Sequence, residues 1–176
     1  MTIDDLIRIM PPPSVPQDPI GSWSKAERLI GIALPNDFKD FVQYYGTGQI
    51  GDFISILNPF SRHNTLNLVV QAPLQVEVLR ELSEEGETLP YPLFPNPNGL
   101  LPAGLTDNGD VIYWITAQHP DDWEIAINEA RSPTYESYRC GLVEFLYQLT
   151  LGRIHSSILP TSVVRGALHF ESVGAY

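Results

Sequence analysis

Two carboxylates and an amide crowd the segment TDNGDVIYWIT (106–116), with a spacing that could serve a metal ion or acid-base chemistry. Asp107, Asn108 and Asp110 surround a glycine as oxygen ligands do at the start of a calcium loop. Two neighbouring acids could also act as general acid and base. A calcium loop, however, needs further ligands ending in a glutamate, and here the apolar run VIYWIT follows. The residue order therefore disfavours a metal site.

The same segment has the pattern of a β-hairpin. Asn108-Gly109 between two apolar runs is a strong signal for a type I′ turn, because both central residues of that turn have positive φ. Asp107 and Asp110 would then flank the turn and point into solvent at the hairpin tip, where aspartate commonly caps local amides. Such a position offers no cleft that would shift a carboxylate pKa. We therefore predict a turn here and no catalytic pair.

A histidine beside two acids follows the hairpin, in the run His119-Pro120-Asp121-Asp122-Trp123. His119 could act as a metal ligand or a base, and a hydrolase that uses it with Asp121 or Asp122 is one hypothesis. The proline-aspartate signature between two predicted strands instead indicates a turn. We predict that His119 is an exposed loop residue.

The remaining reactive residue types are scattered along the chain. His63, His155 and His169 show neither the HxxxH nor the HxH spacing of a zinc site. Cys140 is the single cysteine, so no intrachain disulfide can form, and we expect it to fill space in the core. No P-loop, GxSxG or GxGxxG motif occurs. We therefore expect no cofactor, no metal ion and no catalytic residue.

The chain is strongly acidic, with 21 Asp and Glu against 10 Lys and Arg and a formal net charge of -11. Phosphate binding needs clustered basic residues, so a nucleic-acid partner is disfavoured. The acidity could solubilise the protein, or it could steer a basic protein partner. A run of glutamates is either a solvated helix face or a docking surface for such a partner: Glu77, Glu81, Glu84, Glu85 and Glu87.

The length of 176 residues and the 43% hydrophobic content predict one core. No apolar run approaches the roughly 18 residues of a membrane span. The N-terminal sequence MTIDDLIRIM has acids where a signal peptide has lysines. We therefore expect a cytoplasmic protein with no membrane contact.

Hydrophobic periodicity predicts helices over 4–10, 24–30, 35–45, 67–82 and 142–149. Ser24 and Glu27 have the spacing of a capping box, and Pro73 would break or begin the fourth helix. The predicted strands are 53–57, 99–105, 111–116 and 123–128. The strand at 111–116 is apolar on both faces, as a central strand would be, whereas the one at 123–128 alternates and is expected to be half exposed.

This pattern divides the chain into three predicted parts. A short helix and a proline-rich linker occupy residues 1–22, and a globular domain occupies 23–152. A C-terminal extension, packed on the domain or trailing from it, occupies 153–176. Aromatic residues could line a ligand cleft in the domain, although a core position is their ordinary role. Tyr44 lies off the apolar face of its predicted helix and is expected to be exposed. The aromatic set is Trp23, Phe38, Phe41, Tyr44, Tyr45, Trp114 and Trp123.

Several motifs in one order together resemble the SUKH superfamily, which includes the fungal Smi/Knr cell-wall regulators and many bacterial immunity proteins. The resemblance spans roughly residues 23–152. Its elements are a Trp followed by an E-x-x-x-G-x-x-L-P helix pair, a Tyr-Gly-x-Gly turn, a Pro-x-x-GLLP-x-G strand, the DNGD hairpin and an Asp-x-Trp turn. The segments that carry them are WSKAERLIGIALPNDFKDFVQYYGTGQIGD, LFPNPNGLLPAGLTDNGDVIYWIT, PDDWEIAINE and LVEFLYQL.

The resemblance implies an α+β domain with helices packed on a mostly antiparallel sheet. It also implies a binding module rather than an enzyme. Bacterial members commonly neutralise a cognate polymorphic toxin, often a nuclease, and an acidic surface suits a basic target. The alternative is a regulatory scaffold that binds a host protein or small ligand in a cleft near Tyr44 and Trp23. The candidate partner-binding residues are Asp107, Asp110, Asp121, Asp122, Glu81, Glu84, Glu85, Glu87 and Tyr44.

Overall fold

The computed structural model describes residues 1–173, over which six α-helices pack on one seven-stranded antiparallel sheet. The α+β class is therefore confirmed. In chain order the helices are α1 (Ile3–Ile9), α2 (Trp23–Ile30), α3 (Asn36–Tyr45), α4 (Leu68–Glu84), α5 (Leu142–Thr150) and α6 (Thr161–Val164). The strands are β1 (Gly48–Ile50), β2 (Ile54–Ile56), β3 (Leu100–Thr106), β4 (Val111–Ile115), β5 (Glu124–Asn128), β6 (Tyr135–Tyr138) and β7 (Phe170–Ser172).

The sheet is a meander with one strand added at its edge, in the order β6-β5-β4-β3-β2-β1-β7. Strands β1, β6 and β7 have no counterpart among the predicted strands. β1 and β7 are three residues long, and β6 has the sequence YESY, so none shows a sustained apolar alternation. These three strands form because they pair with neighbouring strands, and hydrophobic periodicity does not detect such pairing.

The main core lies between one face of the sheet and helices α1, α3 and α5. Phe38, Trp114 and Trp123 form edge-to-face aromatic contacts there, with ring centroids 4.9 and 5.8 Å apart. Helix α1 packs on α5 and contributes the fully buried Leu6. The hydroxyl of Tyr45 donates a hydrogen bond of 2.6 Å to the carbonyl of Met10, just beyond α1. The N-terminal helix is thus part of the same core.

A second, smaller core lies on the other face of the sheet, where Leu79 of α4 meets Tyr113 and Ala126. Strand β4 is therefore covered on both faces, as its apolar sequence predicts. The prediction of a half-exposed strand at 123–128 is wrong, because Ala126 of β5 is fully buried in this second core. Helix α4 passes through Pro73 without a break and ends at Glu84.

The α2–α3 hairpin forms as predicted, but its capping differs. The side chain of Ser22, not Ser24, caps α2 by accepting a hydrogen bond from the Lys25 amide. Glu27 does not complete a capping box. Its carboxylate accepts a 2.9 Å hydrogen bond from the Leu34 amide and pairs with Lys39 at 2.6 Å, so that it fastens the two helices together.

The C-terminal segment is anchored to the domain by β6, an edge strand of the sheet. The Glu136 carboxylate accepts hydrogen bonds from the Ser157 amide and hydroxyl, both at 2.7 Å, and from the Ser156 hydroxyl. Val163 is buried beside α5, and β7 pairs with β1. Residues 153–173 therefore pack on the domain, and the last three residues of the predicted extension lie outside the described range.

Candidate partner-binding surface

Asp107 and Asp110 flank a turn whose geometry differs from the predicted one. The Gly109 amide donates to the Thr106 carbonyl at 2.9 Å, and only Gly109 in the loop has positive φ, at +89°. Because Asn108 is not left-handed, the type I′ prediction is wrong. The loop instead has three residues, 107–109, with the bonding of a type I turn followed by a left-handed glycine.

This longer loop separates the two aspartates. Asp107 is exposed and accepts a 2.7 Å hydrogen bond from the Gln49 side chain. Asp110 is only 3% exposed, and its carboxylate accepts hydrogen bonds from the Thr106 hydroxyl at 2.8 Å and the Ala130 amide at 3.0 Å. The prediction that Asp110 points into solvent is therefore wrong. It stabilises the hairpin and is not displayed to a partner.

Asp121 and Asp122 lie at the other end of the sheet, since β4 runs between the two turns and pairs with β5 from Val111 to Ile115. The Asp121 carboxylate accepts two 2.7 Å hydrogen bonds from Asn36, one from its amide and one from its side chain. It therefore caps α3. Asp122 is exposed, as are His119 and Asp121. Because the Asp121 carboxylate is bonded to Asn36 of α3, its described hydrogen bonds do not pair it with His119.

Asp37, in the first turn of α3, makes a corresponding contact with the start of α5. Its carboxylate accepts a 3.0 Å hydrogen bond from the Val143 amide at the start of α5, whose N-cap, Gly141, has no side chain to do so. Burial raises the pKa of Asp37, and repulsion from Asp121 acts in the same direction, against the opposing backbone hydrogen bonds. Asp37 and Asp121 thus support helix N-termini.

We expect Asp37→Ala to lower the free energy of unfolding by about 1 kcal/mol, because it removes a cap. Asp37→Asn keeps an acceptor oxygen. Since the raised pKa means that ionisation costs more in the folded protein, the stability contribution of the wild-type acid is lost as pH rises through that pKa. The Asn variant should therefore gain stability relative to wild type from pH 4 towards neutrality, as urea denaturation would measure. Asp40→Asn, an exposed acid on the same helix, is the control, and an identical pH trend in both would contradict this role.

The predicted glutamate run lies on the C-terminal half of α4 and just after it. Glu81, Glu84 and Glu85 are exposed, whereas Glu87 follows the helix and is half-buried. Burial raises the pKa of Tyr135 to about 12, and the charge of the nearby Glu87 acts in the same direction. The last turn of α4 has no basic residue. Negative charge at a helix C-terminus opposes the helix dipole, so these acids do not serve the stability of α4.

An exposed aliphatic row precedes these acids on the same helix. Ala72, Val76 and Leu79 are buried on the face of α4 that packs on the domain, whereas Leu74 and Val78 are exposed. Helix α4 therefore has two apolar rows, one more than its packing on the sheet needs. The exposed fractions are 37% for Val70, 53% for Leu74 and 46% for Val78. Leu29 of α2, which lines a groove together with Val70, is 61% exposed.

Two grooves border Leu29 on this surface. One, of about 300 Å³, lies between α2 and α4, and Val76, Glu77 and Phe94 are among the residues that line it. The other, of about 440 Å³, reaches Phe60 and the start of α4. We call the combined surface the α4 face, and its members are Leu29, Val70, Leu74, Glu77, Val78, Glu81, Glu84 and Glu85.

Tyr44 and Trp23, the two residues named for a ligand cleft, have different surroundings. Tyr44 is 40% exposed, as expected. Trp23, its predicted neighbour in a cleft, instead packs edge-to-face on Phe60 at 4.7 Å and on Phe38 at 5.8 Å, with the Lys39 ammonium above its ring. The other five residues of the set are buried in the core, and Trp23 packs against them half-buried.

Cys140 is half-buried, and burial, with nearby acids, raises the pKa of its thiol to about 11. A thiol in that state is a poor nucleophile. In residues 1–173 no helix is both long and apolar enough to cross a membrane.

A comparison with protein families identifies the fold. A model of the SMI1-KNR4 cell-wall family of the SUKH group matches residues 20–146, from the linker before α2 into α5. No curated protein and no solved structure matches the chain significantly. The matched range covers the α2–α3 pair, both turns with paired aspartates and strands β1 to β6. Because it spans more than half of the chain, the protein belongs to the SUKH superfamily, in its SMI1-KNR4 cell-wall family.

Proposed function

We propose that the protein is a non-enzymatic binding module and acts as a cytoplasmic immunity protein that neutralises a basic polymorphic toxin. The observation that carries this proposal is the α4 face, where an exposed aliphatic row continues directly into acids. Residues 70, 74, 78, 81 and 85 follow each other at intervals of four, four, three and four, so they form one stripe on α4. Apolar anchors with a charged margin have the composition of a protein interface.

The charge of the stripe selects the kind of partner. A second copy of this chain would bring the same glutamates together and add another net charge of -11, which opposes self-association. A basic protein is favoured instead. Nucleases carry basic substrate grooves, and carboxylates can occupy such a groove in place of phosphates. The family supports a binding role, and the electrostatics support a basic toxin as the target.

The direct test is a calorimetric titration of the purified protein with the product of the gene next to its own, paired with a protection assay in cells that express that product. We expect a one-to-one complex and protection from toxicity. If the protein neither binds nor protects against any neighbouring toxin, the immunity proposal fails.

Charge reversal separates a partner-binding role of the acids from a structural one. Because Glu84 and Glu85 oppose the dipole of α4, Glu84→Lys and Glu85→Lys should each raise the free energy of unfolding by about 0.3 to 1 kcal/mol. Each should also slow association with a basic partner, most strongly at low salt. Denaturation and stopped-flow association rates would measure the two effects.

The matched control for Glu85→Lys is Asp122→Lys, which makes the same charge change at an exposed site on a loop of the sheet end. Asp121 is unsuitable because it caps α3. If Asp122→Lys slows association as much as Glu85→Lys does, overall charge rather than the α4 face steers the partner. If it has no effect, Asp122 is excluded from the interface.

A regulatory scaffold of the cell-wall-regulator type is the second candidate. The groove of about 300 Å³ beside Leu29 supports it, because apolar side chains line a space in which a small ligand could fit. Gene neighbourhood separates the two candidates, since a scaffold has no requirement for an adjacent toxin gene.

A further inference from the structure

Three side chains of metal-binding types meet at the β7 edge of the sheet, away from the α4 face. They are Asp52, His169 and Glu171. The His169 Nε2 atom lies 3.3 Å from Asp52 Oδ1 and 3.6 Å from Glu171 Oε1. One ligand atom of each residue lies within 4.8 Å of the other two. All three residues are exposed to solvent.

Backbone pairing brings these residues together. The Gly51 amide donates a 2.8 Å hydrogen bond to the His169 carbonyl, and Gln49 of β1 lies opposite Glu171 of β7. His169 and Glu171 are two residues apart on an extended segment, so their side chains project to the same side. The turn between β1 and β2 then carries Asp52, at φ +54°, over to them.

The distances are compatible with a shared ion as well as with direct ion pairs between the imidazole and the carboxylates. An N–H···O hydrogen bond usually spans about 2.7 to 3.2 Å, and both separations from the imidazole nitrogen are longer. Two ligands that each lie about 2.0 to 2.1 Å from a tetrahedral zinc ion are roughly 3.3 Å apart. The two separations from the imidazole nitrogen are thus close to the spacing of a coordination shell, and the two carboxylates lie within 4.8 Å of each other.

We propose that Asp52, His169 and Glu171 bind a zinc-class divalent cation, with water completing the shell. One imidazole and two carboxylates suit a first-row transition metal, whereas Mg²⁺ and Ca²⁺ prefer oxygen ligands alone. The two carboxylates neutralise the charge of the ion. Because the ligands come from β7 and from the β1–β2 turn, the bound ion fastens the C-terminal edge strand to the sheet. This site is independent of the proposed partner and of the α4 face.

The test is a titration of the full-length, tag-free protein with Zn²⁺, followed by calorimetry. We expect one ion per chain, with no competition from Mg²⁺ or Ca²⁺. His169→Ala, Asp52→Asn and Glu171→Gln should each weaken Zn²⁺ binding by about tenfold or more. His155→Ala, another exposed histidine, and Asp107→Asn, an exposed acid in the adjoining turn, should leave it unchanged.

Hydrogen exchange gives a second measurement. The Gly51 and Val173 amides donate across the β1–β7 pair at 2.8 and 3.2 Å, and Zn²⁺ should slow their exchange in the wild type but not in His169→Ala. The proposal is overturned if Zn²⁺ does not bind, if His155→Ala weakens binding as much as His169→Ala, or if exchange at Gly51 and Val173 does not respond to the ion.

Discussion

Replacing Leu74 and Val78 together by aspartate is expected to weaken partner binding by at least a hundredfold while the protein stays folded. Central apolar anchors of an interface commonly contribute about 2 kcal/mol or more each, and about 1.4 kcal/mol is a tenfold change in affinity. Both side chains are about half exposed in the free protein, so their replacement creates no cavity. The free energy of unfolding should therefore change by only about 0.5 kcal/mol.

The matched pair for this experiment is Val78→Asp against Val15→Asp. Both valines are exposed, but Val15 lies in the proline-rich segment before α2 and outside the α4 face. Calorimetric titration with the partner gives the affinity, and urea denaturation gives the stability. Equal loss of affinity in both variants would show a general effect of added negative charge, and full affinity in the double variant would remove the α4 face from the interface.

Replacing Asp110 by alanine is expected to lower the free energy of unfolding by about 2 to 4 kcal/mol. The change removes two hydrogen bonds from a buried carboxylate and leaves the Ala130 amide without its acceptor. Asp107→Ala is the comparison, because it changes the same residue type in the same turn. Asp107 is exposed and accepts one hydrogen bond from Gln49, so its loss should cost less than about 1 kcal/mol.

Urea denaturation of the two variants and of Asp110→Asn would measure these effects. The Asn variant keeps an acceptor for the Ala130 amide and should fall between wild type and Asp110→Ala. Similar losses in the Asp107 and Asp110 variants would contradict the division of roles that their burial indicates.

Much of the fold follows from local pattern. The helix pair ended by Gly31 and Gly46, the double-faced apolar strand at 111–116 and the α+β class are all present in the structure. These features depend on residues that are neighbours in sequence. The order of the SUKH motifs adds the family, which the match over residues 20–146 shows.

The roles of the acids could not be predicted in the same way, because they depend on distant partners. Asp110 is buried in a loop one residue longer than expected. Its carboxylate accepts a hydrogen bond from the Ala130 amide, twenty positions later in the chain. Asp121 meets Asn36, 85 positions earlier. The sequence shows where acids are abundant. Only the tertiary packing distinguishes acids that stabilise the fold from acids that face solvent.

Dependence on distant partners also explains why the sequence did not predict the exposed apolar row of α4 or the contact between Asp52 and His169. Helix α4 has two apolar rows, and which one the sheet covers depends on its tertiary position. Asp52 and His169 are 117 positions apart in sequence and meet because β7 pairs with β1. That strand is too short and polar to be predicted from its own residues.

The helix-capping contacts of Asp37 and Asp121 have a consequence for how binding specificity could evolve. A substitution at either residue disturbs the start of a helix and therefore lowers the stability of the free protein, whatever its effect on a partner. The exposed members of the α4 face have few neighbours within the domain and can change with little loss of stability. A lineage of such proteins could therefore acquire new partners by altering one side of one helix while the rest of the scaffold is inherited unchanged.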